Sequence, residues 1–277
     1  MLNSALQRRT LTASVLAPLA IAGVLLLPTP HFAMLFGLVL LIAAWEWSAL
    51  AGIGAFAGRG AFVVTTASAL FLLWQGMAGQ WVPSVLALLT LWWFGLAVYL
   101  FRIREIETSE GFAPWLLASA VPVLLGSWLA IVYLHGSSES GPKLVLFLLI
   151  LIWTADIAAY FAGRRWGTTK LAPVLSPGKT WAGVSGALAG AVLAGLVLAW
   201  ALGFSSAPAG VAVILCVATA FISVVGDLYE SLIKRRRGVK DSGGLLPGHG
   251  GMLDRIDSLM AAAPVFTLGV LYLGAQL

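Results

Sequence analysis

Runs of about twenty apolar residues recur along the whole chain, each long enough to cross a hydrocarbon core of about 30 Å. Nine stand out, at roughly 11–27, 32–50, 61–78, 82–101, 112–134, 143–162, 181–203, 207–227 and 258–275. Gly and Pro clusters punctuate them, at Pro28-Thr29-Pro30, Gly52 to Gly60, Gly76 to Pro83, Gly136 to Pro142 and Gly203 to Gly210. Only 10% of the residues are charged, where a soluble domain carries about a quarter. The expected fold is therefore an all-α polytopic membrane protein of about nine transmembrane helices. No small-residue cleavage site precedes Pro28, so the first run is expected to be a span rather than a signal peptide.

Lys and Arg favour cytoplasmic loops and so report orientation. With nine spans and a cytoplasmic N-terminus, fifteen of the sixteen Lys and Arg residues fall on the cytoplasmic side and Lys143 alone falls opposite. Losing one span scrambles that division. The C-terminus is then expected on the opposite side. Nothing in the net charge of +5 resembles a nucleic-acid footprint. The single Cys216, inside an apolar run, has no partner for an internal disulfide.

The chain divides into residues 1–140, with five spans and short loops, and 141–277, with four spans and two long cytoplasmic loops at 163–180 and 228–257. Trp45, Trp47, Trp74, Trp81, Trp92 and Trp93 in the first region suit interfacial belts. Glu46, within the second span, reads as a buried structural carboxylate before a functional one. Chemistry is expected in the second region. Gly226 to Asp257 alone holds five of the eleven acidic residues (Asp227, Glu230, Asp241, Asp254, Asp257) and six of the sixteen basic ones. Charge is costly beside a bilayer, so such a concentration reads as a site.

On a helix continuing past Asp227, Ser231 and then Lys234 or Arg235 share its face: carboxylate, hydroxyl and cation in a row. Arg236 and Arg237 read as a membrane flank touching anionic lipid. Further on, Gly248, Gly250 and Gly251 surround His249, and glycine backbone lets amides approach a phosphate closely. Asp254 and Asp257, three apart at the start of the last helix, face the same way. Carboxylates in oxygen-only surroundings suit Mg²⁺, which takes one or two of them plus substrate phosphates. With no second His or Cys beside His249, zinc is not expected.

Asp156 sits about two turns inside the sixth span and needs a partner or polar cavity there. Gly178-Lys179-Thr180 invites a P-loop reading, but Pro173 stands where that motif needs glycine, and no strand is expected before it. The segment reads instead as a loop entering a helix whose N-terminal amides, with Ser176, Lys179 and Thr180, favour an anion. Gly186 and Gly190 form a small-xxx-small pair, read as helix packing. Two cytoplasmic loops with aspartates, lysines and arginines suit a polyphosphate–metal complex.

Ser231 to Arg235, Lys240 to Gly243 and Leu246 to Asp257 together resemble the signature of the phosphatidate cytidylyltransferase (CDP-diacylglycerol synthase) family. Asp156 to Arg164 and Leu171 to Gly183 are similar to that family's upstream blocks, with Gly183 where many members carry Glu and Gly178 where Lys is common. The resemblance implies transfer of a cytidylyl group from CTP to phosphatidic acid, with release of pyrophosphate. It implies Mg²⁺, with a second, monovalent cation left open, a homodimer, and a bacterial inner membrane with the site facing the cytoplasm. Asp227 and Asp254 match positions that look like metal ligands in the family. Lys234, Arg235, Lys240 and Arg255 would neutralise phosphates, with Asp257 a third ligand or orienting Arg255. Ser176, Lys179, Thr180, Ser231, Asp241, His249, Gly250 and Gly251 would line the substrates, and Asp156 would order the basic loop. Other readings are a CTP-using polyprenol kinase and an ion-coupled transporter using Asp156 and Glu46. No inverted repeat favours the transporter.

Overall fold

The computed structural model describes residues 2–109, 111–201, 206–245 and 250–274. Its helices are α1 (Leu2–Leu26), α2 (Thr29–Leu50), α3 (Phe56–Gly76), α4 (Val82–Arg102), α5 (Pro114–Ala120), α6 (Gly126–Gly136), α7 (Gly141–Trp166), α8 (Trp181–Ala201), α9 (Ser206–Arg236) and α10 (Leu253–Gly274). All nine expected spans fall on helices, α5 and α6 together making the fifth. Among the described residues eight helical segments are long and apolar enough to cross a membrane, Pro114–Gly136 counting as one, and the apolar stretch Ser14–Leu26 is shorter. Proline sits in the first turn of α2, α4 and α5, where its missing N–H has no partner to lose and its fixed φ suits a helix start. Inside the fifth span Pro122 cannot donate to the preceding turn. There the helix widens into a π turn, Val121–Leu125, which joins α5 to α6.

One expectation fails at 163–180. The segment is not a plain loop: β1 (Lys170–Ala172) and β2 (Ser176–Thr180) pair antiparallel as a small hairpin, Lys170 opposite Thr180 and Ala172 opposite Ser176. Strand β2 runs straight into α8, so a strand does precede that helix. A polar Ser-Pro-Gly-Lys-Thr segment carries no strand-like apolar alternation. Backbone pairing with β1 makes it extended.

The chain forms two compact units. The first comprises residues 1–79, 107–146 and 233–257. Its helices meet through buried polar handles: Trp47, 1% exposed, donates its indole N–H to the Leu116 carbonyl at 2.8 Å, and Trp128 donates to the Ala33 carbonyl at 3.1 Å. The His135 ring stacks on Phe32, with ring nitrogens 3.0 Å from Thr29 Oγ1 and 2.9 Å from the Val24 carbonyl.

The second unit comprises residues 80–106, 147–232 and 258–277. Trp93, also 1% exposed, packs edge-on against Trp92 and Tyr229. Trp47 and Trp93 are thus core residues, not members of an interfacial belt; buried apolar area outweighs the interfacial preference once a neighbouring helix covers the ring. Helices α7 and α8 approach closely at Gly186, where an added Cβ would lie 2.5 Å from the Ala162 Cβ and 2.7 Å from the Ala158 carbonyl oxygen. The small-residue pair does serve helix packing.

Candidate active site

Each unit holds a cluster in which lysine meets carboxylate. In the first unit α10 opens at Leu253, leaving the amides of its first turn without intrahelical acceptors. Glu46, on α2, supplies them. One carboxylate oxygen accepts from the Met252 N–H and the other from the Leu253 N–H, both at 2.9 Å. The second oxygen also accepts from the Ser242 hydroxyl at 2.9 Å. A negative group at the positive end of the helix dipole is favourable as well. Glu46 is 6% exposed, and its counter-charge is Arg59, which interacts with it electrostatically. Arg59 is itself fixed over the Trp45 ring at 4.0 Å and donates to the Trp45 carbonyl at 2.9 Å.

Asp254, in the first turn of α10, is bound on both oxygens. Lys234 Nζ lies 2.5 Å from Oδ1. Oδ2 accepts from the Gly251 amide at 2.8 Å and from the Ser242 amide and hydroxyl at 3.0 Å each. The bond from the Gly251 N–H ties the chain two residues before the helix to its first turn. Glycine is required here by crowding: a Cβ on Gly251 would collide with Ser242 Oγ and both Glu46 oxygens. Gly250 adopts φ +77°, which other residues rarely take. The Gly251 amide, expected to meet a phosphate, is engaged by Asp254.

In the second unit Lys179, on β2, reaches Asp227, on α9, at 2.8 Å and the Val224 carbonyl at 3.5 Å. The Ser231 hydroxyl, one turn on, donates to Asp227 Oδ1 at 3.4 Å. Asp156, on α7, interacts electrostatically with both Lys179 and Asp227. The expected shared face of Asp227 and Ser231 and the approach of Asp156 to the basic loop at Lys179 correspond to these contacts, while the Lys179–Asp227 ion pair was not expected, and Lys234, expected on the face of Asp227, pairs with Asp254. Thr180 is placed otherwise: buried, it accepts the Gly183 N–H on its hydroxyl at 3.1 Å and so caps α8.

Arg235 donates to the Val239 carbonyl at 3.4 Å. Lys240, Asp241 and Arg255 are exposed, and Ser176 and Asp257 are half-buried. His249 lies outside the described residues. Asp227 and Asp254 belong to different units, and each is held by its own lysine. Among the described residues no three His, Cys, Asp or Glu side chains gather as a metal site. Sequence reasoning left out Glu46 and Ser242 as parts of the site. A charge inside an apolar span marked Glu46, but nothing in the sequence announced its partners.

These features define a class: a polytopic membrane protein in which lysines pair with carboxylates, Lys234 near the end of α9 with Asp254 at the start of α10, and Lys179 on β2 with Asp227 within α9. The profile of the Cytidylyltransferase family matches residues 7–273, and the chain belongs to that family. It is 40% identical over 261 residues to a phosphatidate cytidylyltransferase of Pseudomonas aeruginosa, covering 94% of this chain and 95% of the relative. It is 37% identical to one of Haemophilus influenzae, over 95% and 97%. A third, of Brucella suis, is 48% identical over about half of each chain (51% and 52%).

Proposed function

We propose that the chain transfers a cytidylyl group from CTP to phosphatidic acid, giving CDP-diacylglycerol and pyrophosphate. Likeness to phosphatidate cytidylyltransferases along nearly the whole chain carries this reading. A phosphate oxygen of phosphatidic acid attacks the α-phosphorus of CTP in line. The new P–O bond forms as the bond to the pyrophosphate oxygen breaks, so positioning and charge neutralisation dominate. Acyl chains remain in the bilayer, which accounts for charged groups at helix ends.

The donors fit Mg²⁺. Hard carboxylate oxygens are what it prefers, and one or two suffice when substrate phosphates complete the shell. Asp227 and Asp254 are each candidate ligands. Asp227 has the more accessible side chain, 37% exposed against 6% for Asp254. Asp254 would have to release Lys234 to become a ligand. Bound Mg²⁺ would supply charge neutralisation on the triphosphate. A monovalent companion ion is compatible with the same oxygen donors.

Lys179 and Lys234 hold the carboxylates in the resting protein and would turn to phosphate oxygens when the nucleotide arrives. Arg235, Lys240 and Arg255 add positive charge, and Asp156 orients Lys179. We place the enzyme in a bacterial inner membrane, its charged helix ends in the cytoplasm, as a homodimer. Full-length protein in detergent, given CTP labelled at the α-phosphate with and without phosphatidic acid, tests the reaction. Label should enter lipid only when phosphatidic acid is present, with equimolar pyrophosphate. Transfer of the γ-phosphate to a polyprenol instead would overturn the reading.

A further inference from the structure

The first unit contains a cavity of about 360 Å³, within the range of small-ligand sites. Its walls include Glu107, Ser109, Phe112, Trp115, Arg236 and Arg237. Arg236 follows Lys234 by two residues on α9, which turns it roughly 200° around the helix, away from Lys234 and Asp254. The cavity is therefore separate from the cluster at the start of α10.

Its chemistry is that of a cation set in an apolar wall. The Arg236 guanidinium lies 5.1 Å from the Trp115 ring centre, and its Nε is buried with no hydrogen-bond partner. The wall that bears it is fixed. Ser109 donates its N–H to the Arg236 carbonyl at 2.8 Å, and Arg237 Nη1 donates to the Ser109 and Gly111 carbonyls at 3.3 Å each. Among the described lining residues the charged ones are Arg236, Arg237 and Glu107, and Glu107 is exposed. Leu50, Phe112, Leu116 and Ile233 supply apolar surface beside the guanidinium.

We propose that this cavity binds the phosphate head of an anionic glycerophospholipid, with the Arg236 guanidinium as its cationic contact and the apolar wall taking the adjoining glycerol and first acyl carbons. An arginine matches a phosphate's oxygens in a plane and is weakly hydrated, so it suits a site at a lipid surface. Phosphatidic acid, the substrate of the proposed reaction, has the same headgroup chemistry, so turnover of the Arg236 variant distinguishes a separate lipid site from the substrate's own.

The test uses full-length protein in a neutral detergent, titrated with dioctanoyl phosphatidylglycerol, dioctanoyl phosphatidylcholine and inorganic phosphate while bound species are counted by native mass spectrometry. One phosphatidylglycerol should bind with preference over phosphatidylcholine, and R236Q should weaken it roughly tenfold, as expected for loss of one charge-assisted hydrogen bond. R236K, which keeps the charge but not the planar group over Trp115, should lie between. Unchanged binding in both variants would overturn the site, and inorganic phosphate binding as tightly as the lipid would overturn the amphiphile. Turnover of R236Q without added phosphatidylglycerol should match the parent protein.

Discussion

The carboxylate of Glu46 accepts the backbone N–H of Leu253 at 2.9 Å, tying the second helix to the first residue of the last. Three hydrogen bonds to one buried carboxylate hold the segment that carries Ser242, Gly251 and Asp254.

E46Q removes the negative charge and turns an amide N–H₂ toward donors. A charge-assisted bond contributes about 1.5–3 kcal/mol, so a fall of that order in unfolding free energy is expected. Turnover should fall further than thermal stability accounts for, because Asp254 loses its support. Parallel melting curves and initial rates check this; parent-like rates in a destabilised E46Q protein would show that Glu46 only braces the fold.

D254N should lose at least about a hundredfold in turnover while remaining folded, since charge placement dominates phosphoryl transfer. D227N should do the same with less effect on melting temperature, its carboxylate being the more exposed. Rates and size-exclusion profiles of the two variants decide it. Substantial activity in either removes that aspartate from the site.

K179M leaves Asp227 and Asp156 facing each other without their cation. The expected result is a higher KM for CTP together with lower turnover, whereas K179R should recover part of both. A variant with parent-like KM would assign Lys179 to holding the hairpin against α9 alone.

Chelation should abolish turnover, and Mg²⁺ should restore it better than Zn²⁺, as oxygen donors require. Measuring Mg²⁺-dependent shifts in melting temperature for D227N and D254N identifies each residue's share without relying on activity.

G186L forces a side chain between α7 and α8, where even a Cβ has no room. Overpacking of this kind costs about 1–3 kcal/mol. Thermal unfolding in detergent should show it, and G210L, at a position with open space, should leave stability unchanged.

The helices were legible because the bilayer imposes a length and a composition that local sequence must satisfy. The grouping of Asp156, Lys179, Asp227 and Ser231 was legible in part: Asp227 and Ser231 share a helix face, and a charge within a span demands a partner. Less visible was the hairpin, since Ser176 to Thr180 is extended only through pairing with Lys170 to Ala172. Trp47 and Trp93 read as belt residues because sequence shows a ring's chemistry but not what covers it. The partnership of Glu46 with Ser242 spans 196 residues and has no local trace.

A polypeptide made from its N-terminus exposes Glu46 to the insertion machinery 207 residues before Leu253. The early carboxylate must therefore wait, in a helix already delivered to the bilayer, for the donors that will saturate it. A chain that ends before Met252 leaves that acid without its two backbone donors.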